Sequence, residues 1–276
     1  MTPIAKPAKE MRSEMIPFLR WAGSKRQLLP ILTEIIGIDF ERYVEPFAGS
    51  ACVFFRLLPK RALLGDINPE LMHTYTEVKY RVENVSRELA DWRKSRKCYL
   101  ALRSLAPESL PPDMRAARFI YLNRCCFNGL YRTNRQGQFN VPYGGRRSGK
   151  IPNAEMLRSA SRALMNAELI AADFTKSLQR VRSGDFVYMD PPFSITSRRM
   201  FNEYDATVFV AKHLKQLRVQ MERLADLKIR FLVSYADSDE AEVLRRGFNY
   251  QKVGVRRHIA GFGPHRCSAE EILISN

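Results

Sequence analysis

Asp190-Pro191-Pro192-Phe193 sets an acid, two prolines and an aromatic ring in four consecutive positions. The tetrapeptide closes an apolar run, Phe186 to Met189, that reads as a buried strand. Two prolines remove two backbone donors, so the corner offers acceptors only: the Asp190 carboxylate and the prolyl carbonyls, beside a stacking surface. A donor-free corner suits an amino group. An exocyclic base amine is a poor nucleophile because its lone pair is delocalised into the ring. Hydrogen bonds from its two N–H groups to Asp190 and the Pro191 carbonyl would favour a pyramidal nitrogen and stabilise the charge that develops on attack. Phe193 would stack on the extracted base. The same four residues also make an ordinary strand-to-loop turn, so the reading leans on what stands upstream.

Upstream, Glu45-Pro46-Phe47-Ala48-Gly49-Ser50 follows another apolar run and opens a helix, and Gly49 lets the backbone turn close to a bound molecule. Neither a Gly-Lys-Ser/Thr ending nor a GxGxxG pattern is present, which counts against ATP and NAD. Asp66, seventeen residues past Gly49, ends a further run, where an acid accepts both ribose hydroxyls of a nucleoside. Equally, Asp66-Ile67-Asn68 before Pro69 reads as a helix cap. A positively charged sulfonium would be comfortable near Glu45 and Asp190. The spacing therefore points to a nucleoside cofactor.

The elements that position these residues follow from periodicity. Residues 42–45, 62–66, 186–190 and 229–235 read as buried strands. Ser50 to Leu58, Pro69 to Leu89 and Ala206 to Leu227 read as helices, the last with Phe209, Leu214, Leu217, Met221 and Leu224 at helical spacing. Alternating strands and helices predict a doubly wound, Rossmann-like α/β sheet built from 1–85 and 163–276, with 86–162 inserted. The insertion reads as helical over Ser86 to Leu105 and Asp113 to Leu122, and as turn and hairpin beyond. Internal repeats are absent, and the first dozen residues are expected to be a mobile tail.

Charge singles out the same insertion. The 276 residues carry 45 Lys and Arg against 29 Asp and Glu, a net +16 with a pI near 9.9, and 45% are apolar, which excludes wholesale disorder. Between Asp91 and Arg162 stand fifteen basic and four acidic residues, an excess of eleven. Met114 to Ala154 holds no acid at all but carries Arg124, Arg132, Arg146 and Arg147 among Asn, Gly, Pro and aromatic residues. That mixture reads as a nucleic-acid-facing loop, or as a surface hairpin with solvated arginines. No run reaches the length of a membrane span, and the start lacks the apolar stretch of a secretory signal, so a cytoplasmic protein without a membrane partner is expected. The five cysteines include no CxxC pair, and no metal is expected.

Taken together, these residues resemble the DNA adenine methyltransferases of the Dam type, the D12 class, in the order cofactor motifs, recognition region, catalytic motif. The resemblance runs from about Phe18 to Asn276. Phe18 to Lys25 (FLRWAGSK) is similar to the family's N-terminal cofactor motif, which implies Trp21 and Lys25 as S-adenosylmethionine contacts. Val44 to Gly49 is similar to the glycine motif, with Glu45, Phe47 and Gly49 in contact with the cofactor. Asp66-Ile67-Asn68 resembles the ribose-binding motif, and Ala172-Asp173-Phe174 resembles the motif flanking the cofactor adenine. Asp190, Pro191, Pro192 and Phe193 correspond to the catalytic motif, Asp190 touching the cofactor as well, and Ala269 to Asn276 resembles the closing strand. The segments Asn123-Arg124, Phe127 to Asn134 and Gly137 to Pro142 are similar to the family's DNA-reading hairpin. The resemblance implies that Leu130, Arg132 and Pro142 face base edges and that Phe127 and Asn128 help to separate the target adenine from its partner. Arg124, Asn134, Arg146 and Arg147 complete the DNA-binding set.

The resemblance thus implies a Rossmann-like S-adenosylmethionine-dependent methyltransferase sheet with an inserted, mostly helical target-recognition region containing a β-hairpin. The implied reaction is transfer of a methyl group to N6 of a flipped adenine in double-stranded DNA, in this family often at GATC, with no obligate protein partner. Phe193 departs from the more usual tyrosine, Ala51 from a common second glycine, Ser24 from a frequent glycine, and Gly144 to Arg147 from the best-known GATC readers. Base chemistry alone leaves an RNA base-amine methyltransferase and a cytosine-N4 methyltransferase open, since the acceptor corner suits each amine; the inserted hairpin favours DNA.

Overall fold

Short apolar runs whose alternate residues enter opposite cores build the centre of the chain. The computed structural model describes residues 15–192, 209, 211–256 and 268–276. The expected N-terminal tail and Phe193 lie outside the described residues. Strands β1 (Arg42–Glu45), β2 (Ala62–Asp66), β3 (Ala167–Ala171), β4 (Asp185–Met189), β5 (Arg230–Ala236), β6 (Asn249–Arg256) and β7 (Ser268–Ser275) form one sheet in the order 3-2-1-4-5-7-6. The first five pair in parallel, and β7 runs antiparallel to both β5 and β6. Tyr43, Leu64, Tyr188, Leu232 and Leu273 enter one core, while Val44, Leu63, Val187, Val233 and Ile274 enter the other, as the two-residue repeat of a strand buried on both faces requires.

Helices cover both faces. α1 (Leu29–Ile36), α2 (Cys52–Leu57) and α3 (Pro69–Tyr80) share the first core with α4 (Val82–Ala90), α5 (Arg96–Ser104), α6 (Pro112–Cys125) and α7 (Ala154–Leu164). α8 (Phe174–Gln179), α9 (Ala211–Asp226) and α10 (Asp239–Arg245) cover the second. Local chemistry sets several helix starts. Asn68, Ser95 and Asn153 each accept the amide three residues on, and Pro69 pre-sets the first turn of α3. None of the helices among the described residues is long and apolar enough to cross a membrane.

The architecture is the expected doubly wound α/β sheet, with differences in detail. The single helix expected over Pro69 to Leu89 is two, parted at Arg81, whose φ of −132° is not helical. The helix expected over Ala206 to Leu227 is present from Ala211 to Asp226, and its expected start lies outside the described residues. β3 and β6 had no counterpart in the apolar runs. Both lie at sheet edges, where half-exposed side chains such as Glu168 and Lys252 break the pattern. The bounds of the 86–162 insertion fall inside α4 and α7, and Val85 and Leu157 are buried with Tyr75 of α3, so insertion and sheet share one core. Its hairpin is held by isolated antiparallel bridges, Cys126 to Tyr143 and Thr133 to Phe139, rather than by regular strands.

Candidate active site and DNA-facing surface

The strand pleat decides which acids meet. Glu45 is on the same side of β1 as Tyr43, Ser234 shares a side of β5 with Leu232, and Glu271 shares a side of β7 with Leu273, all facing the first core. Asp190, directly after β4, continues the side of Tyr188. β1 and β4 are neighbours at the point where the strand order reverses, the place where open α/β sheets hold ligands. Into this edge comes Lys25, buried to 5% exposure, with Nζ 2.8 Å from Asp190 Oδ1 and 3.6 Å from Glu271 Oε2. Burial disfavours its charge, but Asp190 and Glu271 outweigh that and hold the Lys25 pKa above its ordinary value. Ser234 Oγ donates to Asp190 Oδ1 at 3.1 Å, and Tyr188 Oη lies 2.9 Å from Ser234 Oγ. Tyr43 donates to Glu45 Oε2 at 3.0 Å; burial, reinforced by the charge of Asp190, nevertheless pushes the Glu45 carboxyl well above the usual carboxylate range.

The glycine turn is built for close approach. Gly49 has φ +47°, and a Cβ there would meet Trp21 Cδ1 at 2.7 Å, so the indole lies directly on the turn. Tyr75 donates its hydroxyl proton to the Gly49 carbonyl at 2.7 Å, and Ser24 and Ser50 join hydroxyls at 3.1 Å. Ala51, the departure from glycine, adopts a left-handed conformation at φ +49° that an L-residue tolerates poorly. Of the two roles open to Asp66, the cap of α3 falls to Asn68. Asp66 instead accepts the Gly49 amide on Oδ2 and the Asn68 amide on Oδ1, each at 2.9 Å. Each oxygen keeps a lone pair for a further donor. On the far side Phe47 stacks on Phe174 at 5.1 Å, and Asp173 caps α8 through Thr175.

A cationic nucleoside fits this donor set. Asp66 offers paired acceptors at a strand end, the Gly49 turn admits no side chain, and Asp190 and Glu271 both face the ammonium of Lys25, with Glu45, held toward its neutral form, on the same edge. Ser234, Tyr188 and Glu271 were not singled out by residue type, and the only cue would have been that Ser234 interrupts an apolar strand.

The DNA-facing expectations divide. Leu130, Arg132, Pro142, Arg146 and Arg147 are exposed, and Phe127, Asn128 and Asn134 are partly so. Arg132 donates to Asn140 Oδ1 at 2.7 Å, Asn134 organises the hairpin tip by accepting the Gln136 and Gln138 amides, and Asn128 adopts φ +55°. Arg147 lies over the Phe127 ring at 5.2 Å. Arg124 differs from expectation: it is buried and donates to the carbonyls of Phe18 and Pro17 at 2.6 and 3.0 Å. Burial first, then the neighbouring Arg26 and Arg20, push its pKa down to about 10. Its neighbour Asn123 clamps Arg20, accepting its amide at 2.8 Å and donating to its carbonyl at 2.6 Å. These two residues hold the segment that carries Trp21 and Lys25, and Tyr131 of the hairpin stacks on Trp21 at 5.9 Å.

The strand order and the acids gathered at its switch point define an α/β protein of the Rossmann-like type with its ligand site at that edge. Residues 21–259 match the family model described as D12 class N6 adenine-specific DNA methyltransferase, and the chain belongs to that family. It is 34% identical over 269 residues to a type II methyltransferase of Lactococcus lactis subsp. cremoris, covering 94% of this chain and 95% of that protein. It is 32% identical to a type II methyltransferase of Methanocaldococcus jannaschii, covering 95% and 99%. It is also 32% identical to the DNA adenine methylase of Escherichia coli K12, covering 93% of each. Membership decides between the amines that residue chemistry had left open: the protein is an adenine-specific DNA methyltransferase.

Proposed function

We propose that the protein methylates N6 of an adenine extruded from duplex DNA into the corner at Asp190, with S-adenosylmethionine as donor and the 86–162 insertion as target-recognition region. The observation that carries this reading is the Asp190 carboxylate itself. Its Oδ1 receives Lys25 and Ser234, which leaves Oδ2 and the Pro191 carbonyl to accept the two amine N–H groups. S-adenosylmethionine, when bound, supplies an electrophilic methyl on a cationic sulfur. Asp66 and the Gly49 turn under Trp21 would hold its nucleoside part, with Phe47, Asp173 and Phe174 at the adenine end, while Asp190 favours its positive charge and Glu45 stands beside it as a neutral, hydrogen-bonding acid. Asp190 and the Pro191 carbonyl draw the N6 lone pair out of conjugation and stabilise the ammonium that forms on methylation. Pro192 keeps the corner free of donors, and Phe193 supplies a stacking face for the base. No covalent intermediate on the protein is required.

On the DNA side, Leu130, Arg132 and Pro142 reach base edges, Phe127 and Asn128 help to separate the target adenine from its partner, and Asn134, Arg146 and Arg147 meet the backbone. A bidentate Arg132 to guanine contact is worth roughly 1–3 kcal/mol of discrimination. Arg124 is assigned instead to holding the Phe18–Lys25 segment. The candidate site is GATC. Purified protein and its Asp190→Ala variant, incubated with unmethylated duplex DNA and S-adenosylmethionine, test the reading by methylation-sensitive sequencing. The wild type is expected to leave N6-methyladenine at GATC, and the variant none while still binding the cofactor. Full turnover by Asp190→Ala would refute the assignment of the site; methylation at another sequence would refute only GATC.

A further inference from the structure

Ser234 lies one residue beyond the last pair in the β4–β5 register, Met189 with Val233, and so stands beside Asp190. Its side chain is fully buried in an otherwise apolar strand, RFLVSYA, where a hydroxyl is costly unless it is bonded. It has two bonds, 3.1 Å to Asp190 Oδ1 and 2.9 Å to the Tyr188 hydroxyl. A serine has one proton to donate, and a carboxylate paired with an ammonium only accepts. The Ser234 proton therefore goes to Asp190, and Ser234 accepts from Tyr188. Burial, reinforced by the charge of Asp190, keeps that phenol protonated by pushing its pKa well up. Lys25 approaches the same Asp190 oxygen at 2.8 Å, so rotation of the carboxylate would break two contacts at once.

We propose that Ser234, backed by Tyr188, is a positioning residue that locks the Asp190 carboxylate with Oδ2 free for the adenine amine; this rests on the reading of Asp190 given above. Neither residue touches substrate. Both act through the orientation of the acceptor, and their effect belongs in the chemical step rather than in binding.

The full-length variants Ser234→Ala, Tyr188→Phe, the double variant and Asp190→Ala test it. Each is compared in single-turnover methyl transfer to duplex DNA and in binding of S-adenosylhomocysteine and of DNA, at a temperature where circular dichroism shows all of them folded. Ser234→Ala is expected to slow methyl transfer about 10- to 100-fold, the loss that accompanies removal of a hydrogen bond to a charged group, with both dissociation constants unchanged. Tyr188→Phe is expected to slow transfer about 2- to 10-fold, and to add nothing in the Ser234→Ala background because it works through that hydroxyl. A fully active Ser234→Ala enzyme, or a Tyr188→Phe effect that persists undiminished in the double variant, overturns the proposal. Asp190→Ala separates the two levels: full activity in it overturns the reading of Asp190, whereas an inactive Asp190→Ala beside a fully active Ser234→Ala overturns the role of Ser234 alone.

Discussion

Glu45 shows how strongly one position can feel the fold. It ends β1 inside the first core, and burial together with the nearby charges of Asp190 and Asp66 raises its pKa well above the ordinary 4.5 against the Tyr43 hydrogen bond. An acid whose folded-state pKa exceeds its unfolded one binds more protons folded than unfolded between the two values. Its contribution to stability is therefore full below about 4.5 and is lost as the pH rises toward the elevated value. Glu45→Gln keeps an acceptor for Tyr43 and cannot ionise. Its melting temperature is expected to gain progressively on the wild type as the pH is raised from 4.5 to 8, and parallel melting curves would contradict a buried, proton-holding Glu45. The placement of Glu45 at a strand end was legible from residue type and spacing. Its protonation was not, because desolvation depends on what packs around it.

Among the elements, α6 has a role that its sequence disguises. Basic and aromatic residues at its end read as the approach to a DNA-reading hairpin, yet Asn123 and Arg124 face inward and clamp residues 17–20, ahead of Trp21 and Lys25. Asn123→Ala leaves the part-buried Arg20 amide and carbonyl without these partners, at a cost of about 1–3 kcal/mol. Thermal melts should show that loss, and titration should show weaker cofactor binding, while the salt dependence of DNA binding stays as in the wild type. A changed salt dependence would instead make Asn123 part of the DNA surface. The basic composition of the insertion was plain from the sequence. Which of its cations turn outward was decided by the pairing of α6 with a segment a hundred residues upstream.

For the whole molecule, the net charge of +16 is concentrated in a region whose exposed arginines include Arg132, Arg146 and Arg147 on the hairpin and the turn beside it. A protein that neutralises phosphates loses affinity linearly in the logarithm of salt, with about 0.9 in slope per contact. Replacing Arg146 and Arg147 with alanine is expected to lower that slope by up to about 2 in a duplex-binding titration across salt concentrations, and an unchanged slope would return this charge to a solvated surface. The sequence by itself determined the parallel strands, the glycine turn and the acids at strand ends, because each depends on apolar runs and spacings within one element. It also determined the family, because those motifs stand in a particular order. Only the tertiary structure decided that residues 25, 190, 234 and 271 meet at one edge, that Asn68 rather than Asp66 caps α3, and that Arg124 faces inward. Those outcomes rest on strand order and pleat direction, which bring distant positions within hydrogen-bonding distance and have no signature in local composition.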